Sequence, residues 1–217
     1  MHPHLSQYPQ TRVFCIGRNY VEHIRELGDE DAAQCIIFMK PATSLVEPGR
    51  RIQLPTDRGS IHHEAELVLR IGRQGSSIPR SAALDHIDGI TMGLDLTLRD
   101  LQNELKSKGA PWERCKAFES SAPLGTFLDW KNTSPGAVDL QNLHIRCHVD
   151  DELRQDGNTR DMLYPVDQLI EILSIQWQLR AGDLVFTGTP SGVGPVVPGQ
   201  TITVDSAATG RFAWSFC

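Results

Sequence analysis

A strand-rich α+β fold is what this sequence predicts, on three observations. Short apolar runs outnumber helical patterns, glycine (18) and proline (13) punctuate them along the chain, and residues 64–71 alternate between two faces. Taken in order, Val13, Phe14, Cys15 and Ile16 form the first expected strand, stopped by Gly17. Residues 20–27 follow as a helix, because Tyr20, Ile24 and Leu27 recur at i, i+4 and i+7. Short strands over 36–39 and 52–54 each stop near a proline. In the run 64–71, Ala65, Leu67, Leu69 and Ile71 share one face, and Glu64, Glu66, Val68 and Arg70 share the other. A strand over 87–94 is followed by a helix over 97–106. Strands over 143–149, 184–187 and 202–204 complete the pattern, with one more helix over 162–173 that carries Val166, Leu169, Ile170 and Leu173.

Composition narrows the function classes. At 217 residues the chain suits one domain or two small ones, and no shift in composition marks a linker. The net charge is −6 with no basic tract, which argues against a duplex nucleic-acid binder. No apolar stretch near the start approaches the ~20 residues of a membrane span, and the first residues lack a signal-peptide core. The five cysteines form no C-x-x-C pair, so neither a disulfide framework nor a zinc ribbon is indicated. The expectation is a soluble, cytoplasmic protein that binds neither membrane nor nucleic acid.

Several clusters carry candidate chemistry. Glu64 and Glu66, two apart on a strand, project together and repel unless something positive lies between them. Asp95, at the end of an apolar run, offers a third acid, and a hard dication such as Mg²⁺ prefers such oxygens. An isolated E-x-E pair is more often a solvated strand face. His62 and His63 face opposite ways and are left out as ligands. His23 and Glu26, at i and i+3, share a helical face, where a carboxylate can orient an imidazole acting as a base. An ordinary surface pair has the same spacing. Lys116 lies amid partly apolar neighbours and could hold an anionic oxygen. The run 187–194 is a glycine-rich turn that matches neither dinucleotide nor phosphate-loop fingerprints, although its backbone N–H groups and the Thr189 hydroxyl could grip a carboxylate.

Together these pieces resemble the fumarylacetoacetate hydrolase family over about residues 13–204. The matching runs are Gly17-Arg18-Asn19-Tyr20 with His23 and Glu26, Phe38-Met39-Lys40-Pro41, His63-Glu64-Ala65-Glu66-Leu67, Leu94-Asp95 through Gln102, Lys116-Ala117-Phe118, Arg154-Gln155 and Gly182-Asp183 through Pro190. The small, short-N-terminus branch of acylpyruvases and oxaloacetate decarboxylases is the nearest in form. Departures occur at Glu119, at 150–153 and at Gln200, and the match fades after Val204.

The resemblance implies a mixed β-sandwich or roll with a few short helices, one catalytic domain over 1–217 (1–11 a short N-terminal extension), and usually a homodimer. It places Mg²⁺ or Mn²⁺ on Glu64, Glu66 and Asp95, and a catalytic dyad of His23 and Glu26 on a lid helix. Lys116 would polarise the substrate, and Arg18, Gln102 and Thr189 would line its pocket. The implied activity is C–C bond hydrolysis of acylpyruvate-type 2,4-dioxo acids such as fumarylpyruvate or acetylpyruvate. The same electron sink would serve oxaloacetate decarboxylation. The alternatives are a 2-hydroxyhepta-2,4-diene-1,7-dioate isomerase or hydratase and a non-catalytic metal-binding scaffold.

Overall fold

The alternating run expected over 64–71 is a strand, Ala65–Ile71, in the computed structural model, which describes residues 11–28, 35–55, 57–132 and 138–217. Of the N-terminal extension expected over 1–11, all but Thr11 lies outside the described residues. The strand sits inside a six-stranded sheet ordered Leu128–Asp129, Ile87–Leu94, Ala65–Ile71, Leu184–Phe186, Val13–Gly17 and Ile36–Lys40. A five-stranded sheet is ordered Glu152–Asn158, His144–Val149, Thr201–Ser206, Gly210–Phe216 and Arg51–Ile52. Period-2 alternation sends Leu67, Leu69 and Ile71 of the first sheet into one buried cluster with Ile145, Cys147, Ile202, Val204 and Trp214 of the second. This is the strand-rich sandwich expected.

The opposite face of the first sheet is covered as well. Val13, Cys15, Phe38, Val68, Leu184 and Phe186 form a second buried cluster there. The strand Ala65–Ile71 is therefore hidden on both faces, and its "polar" face is interior.

Several boundaries differ from expectation for local reasons. The helix expected over 97–106 splits into a strand, Thr97–Leu98, and a helix, Arg99–Ser107, because Thr97 and Leu98 pair with His62 and Ile61. The helix expected over 162–173 is Val166–Gln176: Pro165 fixes its start, since the ring disfavours helical backbone in the residue before it. The strand expected over 52–54 is only Arg51–Ile52. Glu152–Asn158 and Gly210–Phe216 went unread, the first because its sequence is almost wholly polar. No helix among the described residues is long and apolar enough to cross a membrane, and all five cysteines are unpaired.

This core assignment makes a contrast testable by urea denaturation. Leu69→Ala, at a fully buried site, should cost about 2–5 kcal/mol. Ile175→Ala, on the exposed side of the helix Val166–Gln176, should change stability by about 0.5 kcal/mol or less. Equal losses at the two sites would contradict the assignment.

Candidate active site

Strand register brings the acids together. Ile87–Leu94 runs antiparallel to Ala65–Ile71 with Leu94 opposite Ala65 and Gly93 opposite Glu66. Asp95, just past the strand, then donates its backbone N–H to the Glu64 carbonyl at 2.8 Å. Ligand oxygens of Glu64, Glu66 and Asp95 all lie within 4.8 Å of one another, and all three residues are buried. The solvated-face reading of Glu64 and Glu66 is thereby excluded.

Three buried carboxylates at this spacing need positive charge. The Lys116 ammonium donates to Glu64 Oε2 and Asp95 Oδ2, each at 2.6 Å. Lys40 Nζ lies 2.8 Å from Asp95 Oδ1 and donates to the carbonyls of Leu96, Ser121 and Lys116. The Arg99 guanidinium donates to Glu64 Oε1 at 2.5 Å and to Gln102 Oε1. Burial pushes the Glu64 carboxyl up, but the Lys116 and Arg99 charges outweigh it and hold the group ionised, well below the usual range. Burial likewise works against the Lys116 charge, and Asp95 and Glu64 more than offset it.

Glu66 differs. It accepts the Gly188 backbone N–H at 2.8 Å rather than a basic side chain. Burial first, then the charges of Asp95 and Glu64, push its carboxyl well above the ordinary value. A buried all-oxygen cluster that still lacks positive charge at one member fits Mg²⁺ or Mn²⁺, which prefer such hard donors.

The second group comes from the chain after Val13–Gly17. Arg18 takes a left-handed backbone (φ 61°), turning the chain toward the short helix Val21–Glu26. His23 Nδ1 and Glu26 Oε2 are 3.1 Å apart, with His23 buried and the Glu26 side chain about one-third exposed. Glu26 Oε1 also accepts the Gly192 N–H at 3.0 Å. Burial raises the Glu26 carboxyl, but its hydrogen bonds with His23 and Gly192 win and lower it. The result is an imidazole with a fixed anion behind it.

A narrow cavity joins the two groups, lined by Arg18, His23, Glu64, Gln102, Trp112 and Lys116. Its volume is about 30 Å³, room for no more than a water or two, so a larger molecule enters only if a wall moves. The obvious wall is the helix Val21–Glu26. A far larger open cleft of about 1090 Å³, beside Arg58, Asp100, Arg114 and Glu119, contains none of the acids and neither dyad residue.

Most expected residues converge here. Thr189 does not line the cavity: it is buried, donates its hydroxyl to the Ala65 carbonyl at 2.8 Å, and accepts from Gln155 Nε2 at 2.8 Å. Its hydroxyl braces the acid-bearing strand. Lys116, expected to polarise a substrate, has its ammonium between two of the acids. His63 pairs with Gln155 Oε1 at 3.1 Å, outside the acid cluster, and burial followed by the Arg99 charge lowers the His62 ring to about 4.

Sequence reasoning gave no role to Lys40, Arg99 or Gln155. Lys40 carried a signal, being the one charge that ends the apolar run beginning at Ile36. Arg99 and Gln155 carried none outside the family motif.

Residues 12–214 match the family model described as fumarylacetoacetate (FAA) hydrolase C-terminal. The chain is 40% identical over 200 residues to the oxaloacetate tautomerase YcgM of Escherichia coli, covering 92% of this chain and 90% of that one. It is 40% identical over 192 residues to a mitochondrial oxaloacetate decarboxylase of Dictyostelium discoideum, covering 88% and 86%. It also superimposes on the crystal structure of fumarylpyruvate hydrolase from Pseudomonas aeruginosa, in complex with Mn²⁺ and pyruvate. That likeness has a TM-score of 0.88 and 37% identity, covering 94% of this chain and 88% of that one.

The ion cluster predicts a large effect at Lys40. Lys40→Met keeps the volume but strips a buried charge partner from Asp95 and a donor from several carbonyls. The unfolding free energy in urea should fall by about 3–5 kcal/mol, and a variant as stable as the wild type would show that this lysine contributes nothing net.

Proposed function

The chain belongs to the fumarylacetoacetate hydrolase family, and on that premise we propose that it interconverts the keto and enol forms of a small dicarboxylic 2-oxo acid of the oxaloacetate type, with a bound Mg²⁺ or Mn²⁺. One observation carries this reading: a single cavity is walled by a metal-suited acid, a buried histidine backed by a carboxylate, and a lysine.

Glu64, Glu66 and Asp95 would hold the cation. When bound, it draws electron density toward the 2-oxo and carboxylate oxygens, which lowers the cost of removing a proton from the neighbouring carbon. Charge counting supports a dianion. Lys40, Lys116 and Arg99 already offset three carboxylates, so a dication leaves a surplus that two substrate carboxylates neutralise.

His23 serves as the base. Its Nδ1 faces Glu26, which leaves Nε2 as the atom that takes the proton from the methylene carbon beside the ketone. Glu26 stabilises the imidazolium that forms, and the same nitrogen returns a proton to oxygen. No water is consumed, and every proton removed is returned. Arg18 and Gln102 line the cavity as candidates for gripping the substrate carboxylates.

A second reading, hydrolysis of an acylpyruvate such as fumarylpyruvate, is favoured by the His23–Glu26 pair, since an oriented imidazole can equally deprotonate water. The likeness to a fumarylpyruvate hydrolase supports it too. Oxaloacetate decarboxylation would use the same electron sink. In each reading residues 1–217 act as one catalytic domain. The unpaired cysteines support a reducing compartment such as the cytoplasm, and the family resemblance supports a homodimer.

Decay of the oxaloacetate enol, followed by ultraviolet absorbance with Mn²⁺ present, tests the first reading, and release of pyruvate or CO₂ reports the others. His23→Ala should slow enol decay by about 10²–10⁴-fold while Mn²⁺ affinity stays nearly unchanged. A wild-type rate in that variant removes His23 from the base role. Mn²⁺ should also raise the thermal midpoint of the wild type, by about 2.7 kcal/mol of added stability at 100 times its Kd. The same shift in Asp95→Asn would contradict the metal assignment.

A further inference from the structure

We propose that Gln155 is a positioning residue that sets the aim of Glu64 and Glu66, acting through the peptide groups on either side of Ala65. The proposal rests on the reading of these acids as metal ligands.

Gln155 is fully buried on Glu152–Asn158, an edge strand of the five-stranded sheet, whereas the acids belong to the neighbourhood of the other sheet. Its amide uses all of its hydrogen-bonding capacity across that gap. Oε1 accepts the Ala65 backbone N–H at 3.0 Å and pairs with His63 Nδ1 at 3.1 Å. Nε2 donates to Thr189 Oγ1 and to the Pro190 carbonyl, each at 2.8 Å. Thr189 in turn donates to the Ala65 carbonyl at 2.8 Å.

Ala65 stands between the two glutamates, so both peptide groups joining them are pinned from one side chain, one directly and one through Thr189. The same turn presents the Gly188 N–H to Glu66. Gly188 is required there: its φ is 97°, and a Cβ would lie 2.7 Å from Asn19 Cβ. The Asp95 N–H already holds the Glu64 carbonyl, but the Ala65 N–H and carbonyl are held by Gln155 and Thr189, and without that clamp each peptide group loses an anchor and both carboxylates their fixed aim. An amide suits this post because it offers two donors and an acceptor in one plane.

The test is Mn²⁺ titration calorimetry on metal-depleted full-length protein, with folding checked by circular dichroism. Gln155→Met removes all four contacts at similar volume and should weaken Mn²⁺ binding by about 10–100-fold, the range for groups that orient metal ligands. A folded Gln155→Met that loses stability yet binds Mn²⁺ as the wild type does would overturn the proposal. If that variant fails to fold, Thr189→Val decides, since it cuts the relay to the Ala65 carbonyl. An affinity loss of about 10-fold is expected there, and wild-type affinity overturns the proposal. A wild type that takes up no Mn²⁺ refutes the metal reading and this proposal with it. That failure is told apart by occurring in the unmutated chain.

Discussion

Burial of three carboxylates against three cations is the constraint from which the rest of this structure follows. Removing an ion from water costs several kcal/mol even after relaxation, so such a cluster survives only where close opposite charges offset that cost. Here Lys116 spans Glu64 and Asp95, Arg99 holds the outer oxygen of Glu64, and Lys40 holds that of Asp95. Strand register becomes exacting as a result. A slip of one residue along Ala65–Ile71 would swing Glu66 into the apolar layer that Leu67 occupies and bring Leu67 among the acids. Glu66 accepts one backbone N–H and no basic side chain, so of the three acids it is the one for which a bound dication would be the first charged partner.

The turn after Leu184–Phe186 links this cluster to the His23–Glu26 pair. Gly188 holds Glu66 and Gly192 holds Glu26, so a metal-suited acid and the carboxylate behind His23 hang from one loop. The helix carrying the dyad is only six residues long, and its carboxylate contact lies at its partly exposed end. A short element with few buried contacts opens at low cost, which would suit a wall of the cavity that moves to admit a substrate.

How much of this could be read from sequence depends on whether a feature is local. The alternation of 64–71 declares a strand because the period is in the chain itself; spacing places Glu64 beside Glu66 and His23 beside Glu26, while the roles expected of them come only from the family resemblance. That the Glu face is interior was hidden, because it depends on Leu45, Ala122 and Trp112 arriving from segments outside the sheet to pack against it. Lys40 and Arg99 look like surface residues until the fold buries them. Gln155 sits in a run of polar residues, and its significance appears only when two sheets meet. The bond from the Thr189 hydroxyl to the Ala65 carbonyl was equally hidden, because it joins residues 124 positions apart.

Whether a dication sits among the three acids is decided by anomalous diffraction from crystals soaked in Mn²⁺ and oxalate. One strong manganese peak is expected among the carboxylates of Glu64, Glu66 and Asp95, with oxalate completing its shell and the Lys40–Asp95 pair intact. Oxalate bound with no manganese between those three side chains, or manganese bound elsewhere with the cluster unchanged, would contradict it.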